Sequence, residues 1–140
     1  MRLRWLLAGA SMAVFLACGG AHAEDSAAAD CSNATTQMDM NSCADKDYQA
    51  ADAELNAQYK KTRAAMLEID KGLDSNLKGA EKALLAGQRA WIDYRDGECE
   101  AEGFQARGGS MEPMLVSGCK ATLTRARTNE LKQLADGQGN

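Results

Sequence analysis

Histidine is nearly absent from this chain; the only one, His22, sits inside what reads as an export leader. Proline is as scarce, with Pro113 alone, and aromatics make up 5% of the residues. Each shortage excludes something. With β-branched residues thinly spread and alanine abundant, strands are disfavoured and helices favoured. Once the leader is removed, no histidine is left for Ser-His-Asp or Cys-His catalysis or for histidine-built zinc sites. The expectation is a protein that is not an enzyme, with no catalytic residues, no metal and no cofactor.

The leader is read from its order of parts. Arg2 and Arg4 form a positive start, an apolar run spans Trp5 to Ala17, and Ala21-His22-Ala23 has the small-x-small form of a cleavage site. The run is too short for a permanent membrane span. Residues 1–23 are therefore read as a signal peptide, and the product as periplasmic or secreted. Phe15-Leu16-Ala17-Cys18-Gly19 offers an alternative, since it resembles a lipoprotein site with Cys18 as the lipidated residue and Phe15 where leucine is usual.

Residues 24–30, EDSAAAD, read as a flexible tail, and 31–135 as one domain. Loss of Arg2 and Arg4 leaves 14 basic against 20 acidic residues, a net charge of −6. That balance argues against nucleic acid and anionic membranes and favours a basic partner, or simply solubility. Oligomeric state is not legible.

Helical periodicity organises the domain. Thr36-Gln-Met-Asp39 has the capping-box form, and Ser42-Cys-Ala-Asp45 is a second candidate start. Tyr48, Ala51, Leu55, Tyr59, Thr62, Met66 and Ile69 then make one stripe, ended by Lys71-Gly72. A second helix is expected from about Ser75 to Glu102, with Leu77, Ala80, Leu84, Gln88, Trp91 and Tyr94 inward. Gly87 inside it suggests close helix packing. A glycine-rich loop, Gly103 to Pro113, leads to a third helix from about Met114 to Leu134, with Leu115, Cys119, Leu123, Ala126 and Leu134 inward. Short connections make this an all-α, three-helix antiparallel bundle.

Four cysteines remain in the domain: Cys31, Cys43, Cys99 and Cys119. In an oxidising compartment they read as two disulfides. An up-down-up bundle gathers Cys43, Cys99 and Cys119 at one end. The pairing Cys31–Cys43 with Cys99–Cys119 needs the least rearrangement, while the two other pairings stay open.

Several motifs together resemble a known family. They are Cys31, Thr36-Gln-Met-Asp-Met-Asn41, Cys43-Ala, Tyr48, Ala51-Asp52-x-Glu-Leu-Asn56, Tyr59, Gln88-Arg-Ala-Trp-Ile-x-Tyr-Arg-Asp96, Cys99 and Gly109-Ser110. In this order they resemble the LprI-type lysozyme-inhibitor N-terminal domain family of secreted bacterial proteins, over about residues 31–134. The resemblance implies a lysozyme inhibitor with a basic lysozyme-type partner. Its signature residues, Asp52, Asn56, Trp91, Tyr94, Arg95 and Asp96, read as scaffold: Trp91 and Tyr94 in the core, the others in a polar network.

Two features are candidate contact surfaces. Asp93, Asp96, Glu98, Glu100 and Glu102 crowd the end of the second helix, where acids oppose the helix dipole and would steer a basic partner. The 103–113 loop carries Phe104, Arg107 and Ser110, and Arg107 would meet carboxylates in a partner's cleft. Glu98, Glu100, Glu102, Phe104, Arg107 and Ser110 are thus the expected partner-binding residues. The alternative to inhibition is a periplasmic protein-interaction module.

Overall fold

The computed structural model describes residues 30–137. The leader, Cys18 and nearly all of the 24–30 tail lie outside the described residues. Three helices follow in order: α1 (Gln37–Gly72), α2 (Ala80–Gly103) and, after a single 3-10 turn at Phe104–Ala106, α3 (Glu112–Ala135). Among the described residues there is no strand.

α1 begins at the first of its two candidate signals. Thr36 Oγ1 accepts the Asp39 amide at 3.1 Å, and its hydroxyl donates to the Asp39 carboxylate at 2.7 Å. Orphan donors of the first turn are thereby satisfied. Ser42 is simply part of the helix. α1 has 36 residues, a length of about 54 Å, against about 36 Å for each of the other two.

α2 starts five residues later than its periodicity predicts. Gly79 takes φ +152°, a conformation open to glycine, and a turn closed by Leu77 N to Asp74 O precedes it. The cap comes from the preceding helix: the Asp70 carboxylate accepts the amides of Gly79, Ala80 and Glu81 at 2.7, 2.9 and 3.1 Å. Leu77 is thereby left in the turn, 62% exposed, not inward.

Those three amide bonds hold the Asp70 carboxyl below its ordinary value of 3.8. A depressed folded-state pKa gives stability that is present above the unfolded value and lost as pH falls through the folded one. Asp70→Ala is expected to lower the melting temperature at neutral pH. The gap from the wild type should shrink in thermal melts taken well below pH 3.8.

Packing follows seven-residue spacing. Buried positions are Ala51, Leu55, Thr62 and Met66 on α1; Leu84, Gln88, Arg95 and Cys99 on α2; and Cys119, Ala121, Thr124 and Leu131 on α3. Leu55, Met66, Leu84 and Leu131 form the apolar centre, with Tyr59 and Trp91 against it. Thr62 donates to the Leu131 carbonyl at 2.8 Å. Asp47 pairs with Arg125 at 2.9 Å and Thr62 with Leu131 further along, so α1 and α3 run parallel and pack directly on each other, while Arg63–Glu81 and Asp52–Arg95 set α2 antiparallel alongside them. The inward stripe of α3 passes through Ala121 and Thr124; Ala126 and Leu134 are exposed. Ile69 is also exposed, because only one turn of α3 follows Leu131 while α1 continues ten residues beyond Thr62.

The closely packed glycine is Gly103, not Gly87. A Cβ on Gly87 would meet nothing within 4 Å, whereas one on Gly103 would lie 2.6 Å from Val116 Cγ2. Gly87→Ala is therefore expected to stabilise by about 0.5–1 kcal/mol. Gly103→Ala should destabilise by about 1 kcal/mol or more, since valine cannot turn aside freely. Denaturant titration of the two variants checks the opposite signs.

Candidate contact site

The chemistry-bearing residues converge where α2 ends, and a polar cluster fixes that end. After Trp91, the buried stripe of α2 continues four residues on to Arg95, not three on to Tyr94. Arg95 is 6% exposed, while Tyr94 faces out at 56%. Tyr94 is thus not a core residue. The Arg95 guanidinium carbon lies 5.2 Å from the centre of the Trp91 ring and 5.3 Å from that of the Tyr48 ring, so two aromatic rings pack against the cation. Its nitrogens reach Asp96 at 2.9 Å and Asp52 at 3.5 Å. Asn56 donates to Asp52 at 2.8 Å, and Lys120 of α3 reaches Asp96 at 3.4 Å.

Two cations and two carboxylates therefore balance across all three helices. Burial works against the Asp96 anion, but Arg95 and Lys120 outweigh it and hold its pKa below 3.8. Burial raises the Tyr48 hydroxyl above its ordinary value, against the pull of Arg95. Sequence reasoning missed Tyr48 and Lys120 as members. Lys120 follows Cys119 directly, and that is the only signal for it.

Two disulfides close the same end. Cys31–Cys43 and Cys99–Cys119 form, with Cα separations of 5.5 and 5.4 Å. Cys99 is fully buried and joins α2 to α3; Cys31 is exposed and ties the entering chain to α1.

The connecting loop is braced at both ends. Glu112 accepts Arg107 Nη1 at 2.7 Å and the Gly108 amide at 2.8 Å, and these bonds hold its carboxyl below the ordinary value. Gly108 takes φ +76°, which allows the reversal. The Arg107 guanidinium stacks 4.4 Å above the Phe104 ring, and Asn41 of α1 donates to the Ser110 carbonyl at 2.9 Å. Arg107 is thus engaged within its own loop, while Phe104 is 56% exposed.

The acids divide by face. Glu98 and Glu102, one turn apart, line a trough of about 370 Å³ between α2 and α3, together with Tyr94, Leu115 and Leu123. Glu100 is exposed but does not line it. No ion-pair partner occurs for any of the three among the described residues. The apolar lining from α3 was read from sequence only as an inward stripe. Among the described residues no cluster of His, Cys, Asp or Glu is arranged to hold a metal, and no helix is long and apolar enough to cross a membrane.

The fold defines a small, all-helical domain stapled by two disulfides, a construction that fits an exported protein. The chain belongs to the family described as "Lysozyme inhibitor LprI", which matches residues 27–131. It is also similar to an uncharacterized protein of Rhizobium meliloti (strain 1021), at 60% identity over 114 residues, covering 79% of this chain and 82% of the relative. No solved structure matches it.

Proposed function

We propose that this protein works by contact, as an exported inhibitor of a lysozyme-type muramidase. Beyond the family, the observation that carries this reading is the uncompensated charge where α2 ends. Glu98, Glu100 and Glu102 stand towards the negative end of a helix dipole, with no basic residue in the last turn of α2 and no ion pair to any of the three among the described residues. Glu100 and Glu102, in the last turn, each cost about 0.3–1 kcal/mol there, and Glu98 one turn earlier costs less. A stability cost of that kind suits a surface that meets a positive partner, and a basic lysozyme supplies one. Phe104, Arg107 and Ser110 lie on the adjoining loop, whose bracing presents them in fixed positions, so docking would order little chain.

A bacteriolysis assay tests the reading. Purified, oxidised protein lacking residues 1–23 should slow lysis by a basic lysozyme. The combined change Glu98→Gln, Glu100→Gln and Glu102→Gln should weaken that effect about tenfold or more. Unchanged lysis at micromolar protein, with no complex, would sink inhibition. A complex without slowed lysis would instead support a protein-interaction module of the envelope.

A further inference from the structure

We infer that the trough between α2 and α3 receives one lysine or arginine side chain from a protein partner. Its aliphatic stem lies on Leu115 and Leu123, and its charged head lies between Glu98 and Glu102. The inference rests on the contact reading above but makes the chain the receiver at this place.

Four observations converge on that occupant. Tyr94, Glu98 and Glu102 follow one another at four-residue steps and share one wall of the trough. Several carboxylates between or beside the helices are paired: Glu81 has Arg63, Glu112 has Arg107, Asp47 has Arg125, and Asp96 has Arg95 and Lys120. Others on open faces, such as Glu54 and Asp93, have no ion pair among the described residues. Glu98 and Glu102 have none among the described residues, so the trough has a surplus of two negative charges at the carbonyl end of α2. The Tyr94 ring, one turn before Glu98 and half exposed, adds a face to which a cation is attracted.

The opposite wall has the complementary character. Leu115 and Leu123 of α3 are half-buried and apolar, suited to a methylene stem. Gly118 lies between them with open space where a side chain would project. An apolar wall facing an acidic one matches a long cationic side chain better than a compact ion. It also matches a protein better than a polyanion, which the two glutamates would repel.

Gly118 makes the idea testable, because filling the trough there needs no rearrangement of the helices. Gly118→Leu should fold with a melting temperature at or above that of the wild type, as leucine is the better helix former. Glu98→Gln with Glu102→Gln should do so too, since it removes charges opposed to the dipole.

The probe is the peptide acetyl-Leu-Lys-Leu-amide at millimolar concentration, titrated into isotope-labelled, oxidised protein. The same peptide with norleucine for lysine is the control. Expected are amide shifts confined to the 94–102 and 114–123 segments with the lysine peptide only, lost in both variants. Absence of such shifts, their appearance elsewhere, or equal shifts with norleucine would overturn the inference. If a variant fails to fold, the wild-type comparison of the two peptides decides alone.

Lysozyme separates this inference from the broader function. Inhibition by the wild type that Gly118→Leu leaves unchanged would remove the trough and keep the function. Peptide shifts in the trough without any inhibition would keep the trough and remove the function.

Discussion

Replacing Cys99 and Cys119 together by serine is expected to lower the melting temperature by roughly 12–20 °C. The bond closes a 20-residue separation. Constraint of the unfolded chain over such a loop is worth about 3 kcal/mol. Burial adds to the loss, because Cys99 is 0% exposed and two hydroxyls would take the place of an apolar bridge. The Cys31–Cys43 bond closes a 12-residue separation, and the same loop argument gives it a similar value, again about 3 kcal/mol. Here the native side differs. The short stretch from Cys31 to the start of α1 packs little, so it can fray while the bundle stays folded. Cys31→Ser with Cys43→Ser should therefore cost only a fraction of the other pair. Calorimetry of both double variants checks the asymmetry. Equal losses would mean that the entering chain is an integral part of the cooperative unit.

The second large effect is expected at Arg95. Arg95→Ala removes a side chain 7% exposed and withdraws the cation that faces both Asp52 and Asp96. Breaking a buried pair costs about 3–5 kcal/mol when the remaining charge is sealed from water. Here the carboxylates stay 40% and 45% exposed, which reduces the electrostatic share. The void between Tyr48 and Trp91 restores part of it. A loss of about 3 kcal/mol is expected from urea unfolding. Arg95→Met fills the void without the charge and should recover about half. If Arg95→Met were as harmful as Arg95→Ala, the ion pairs would outweigh the stacking. If Arg95→Met matched the wild type, the network would contribute through shape alone.

Much of this architecture is legible in the sequence, and the misses share a cause. α1 is readable because Thr36 and Asp39 carry their own start signal and the stripe from Ala51 to Met66 is strictly periodic. The disulfide pairing with least rearrangement is the one formed, because an up-down-up chain brings Cys99 and Cys119 together across a single loop. Tyr94 faces out against the expectation of a core position, while Arg95 does join the expected polar network but from a buried position. Hydropathy assigns the aromatic residue inward and the cation outward, yet two flanking rings and two carboxylates make the interior the better place for Arg95. The start of α2 is misread for a similar reason. Its cap is Asp70, nine residues before the first amide it serves, so no local pattern at Ser75 or Gly79 announces it. The trough is missed because its walls belong to different helices. Leu115 and Leu123 read as core, and only the packing of α2 against α3 leaves them half-open beside Glu98 and Glu102. The acidic run itself is legible, but its division into two faces depends on helical phase.

The central claim is contact through the acidic end of α2. It is tested most directly by titrating the oxidised protein with a basic lysozyme in a calorimeter at low and at high salt. The account predicts a one-to-one complex whose affinity falls as salt rises, and falls about tenfold or more when Glu98 and Glu102 become glutamine. No complex, or one whose affinity ignores both salt and those two changes, would contradict it.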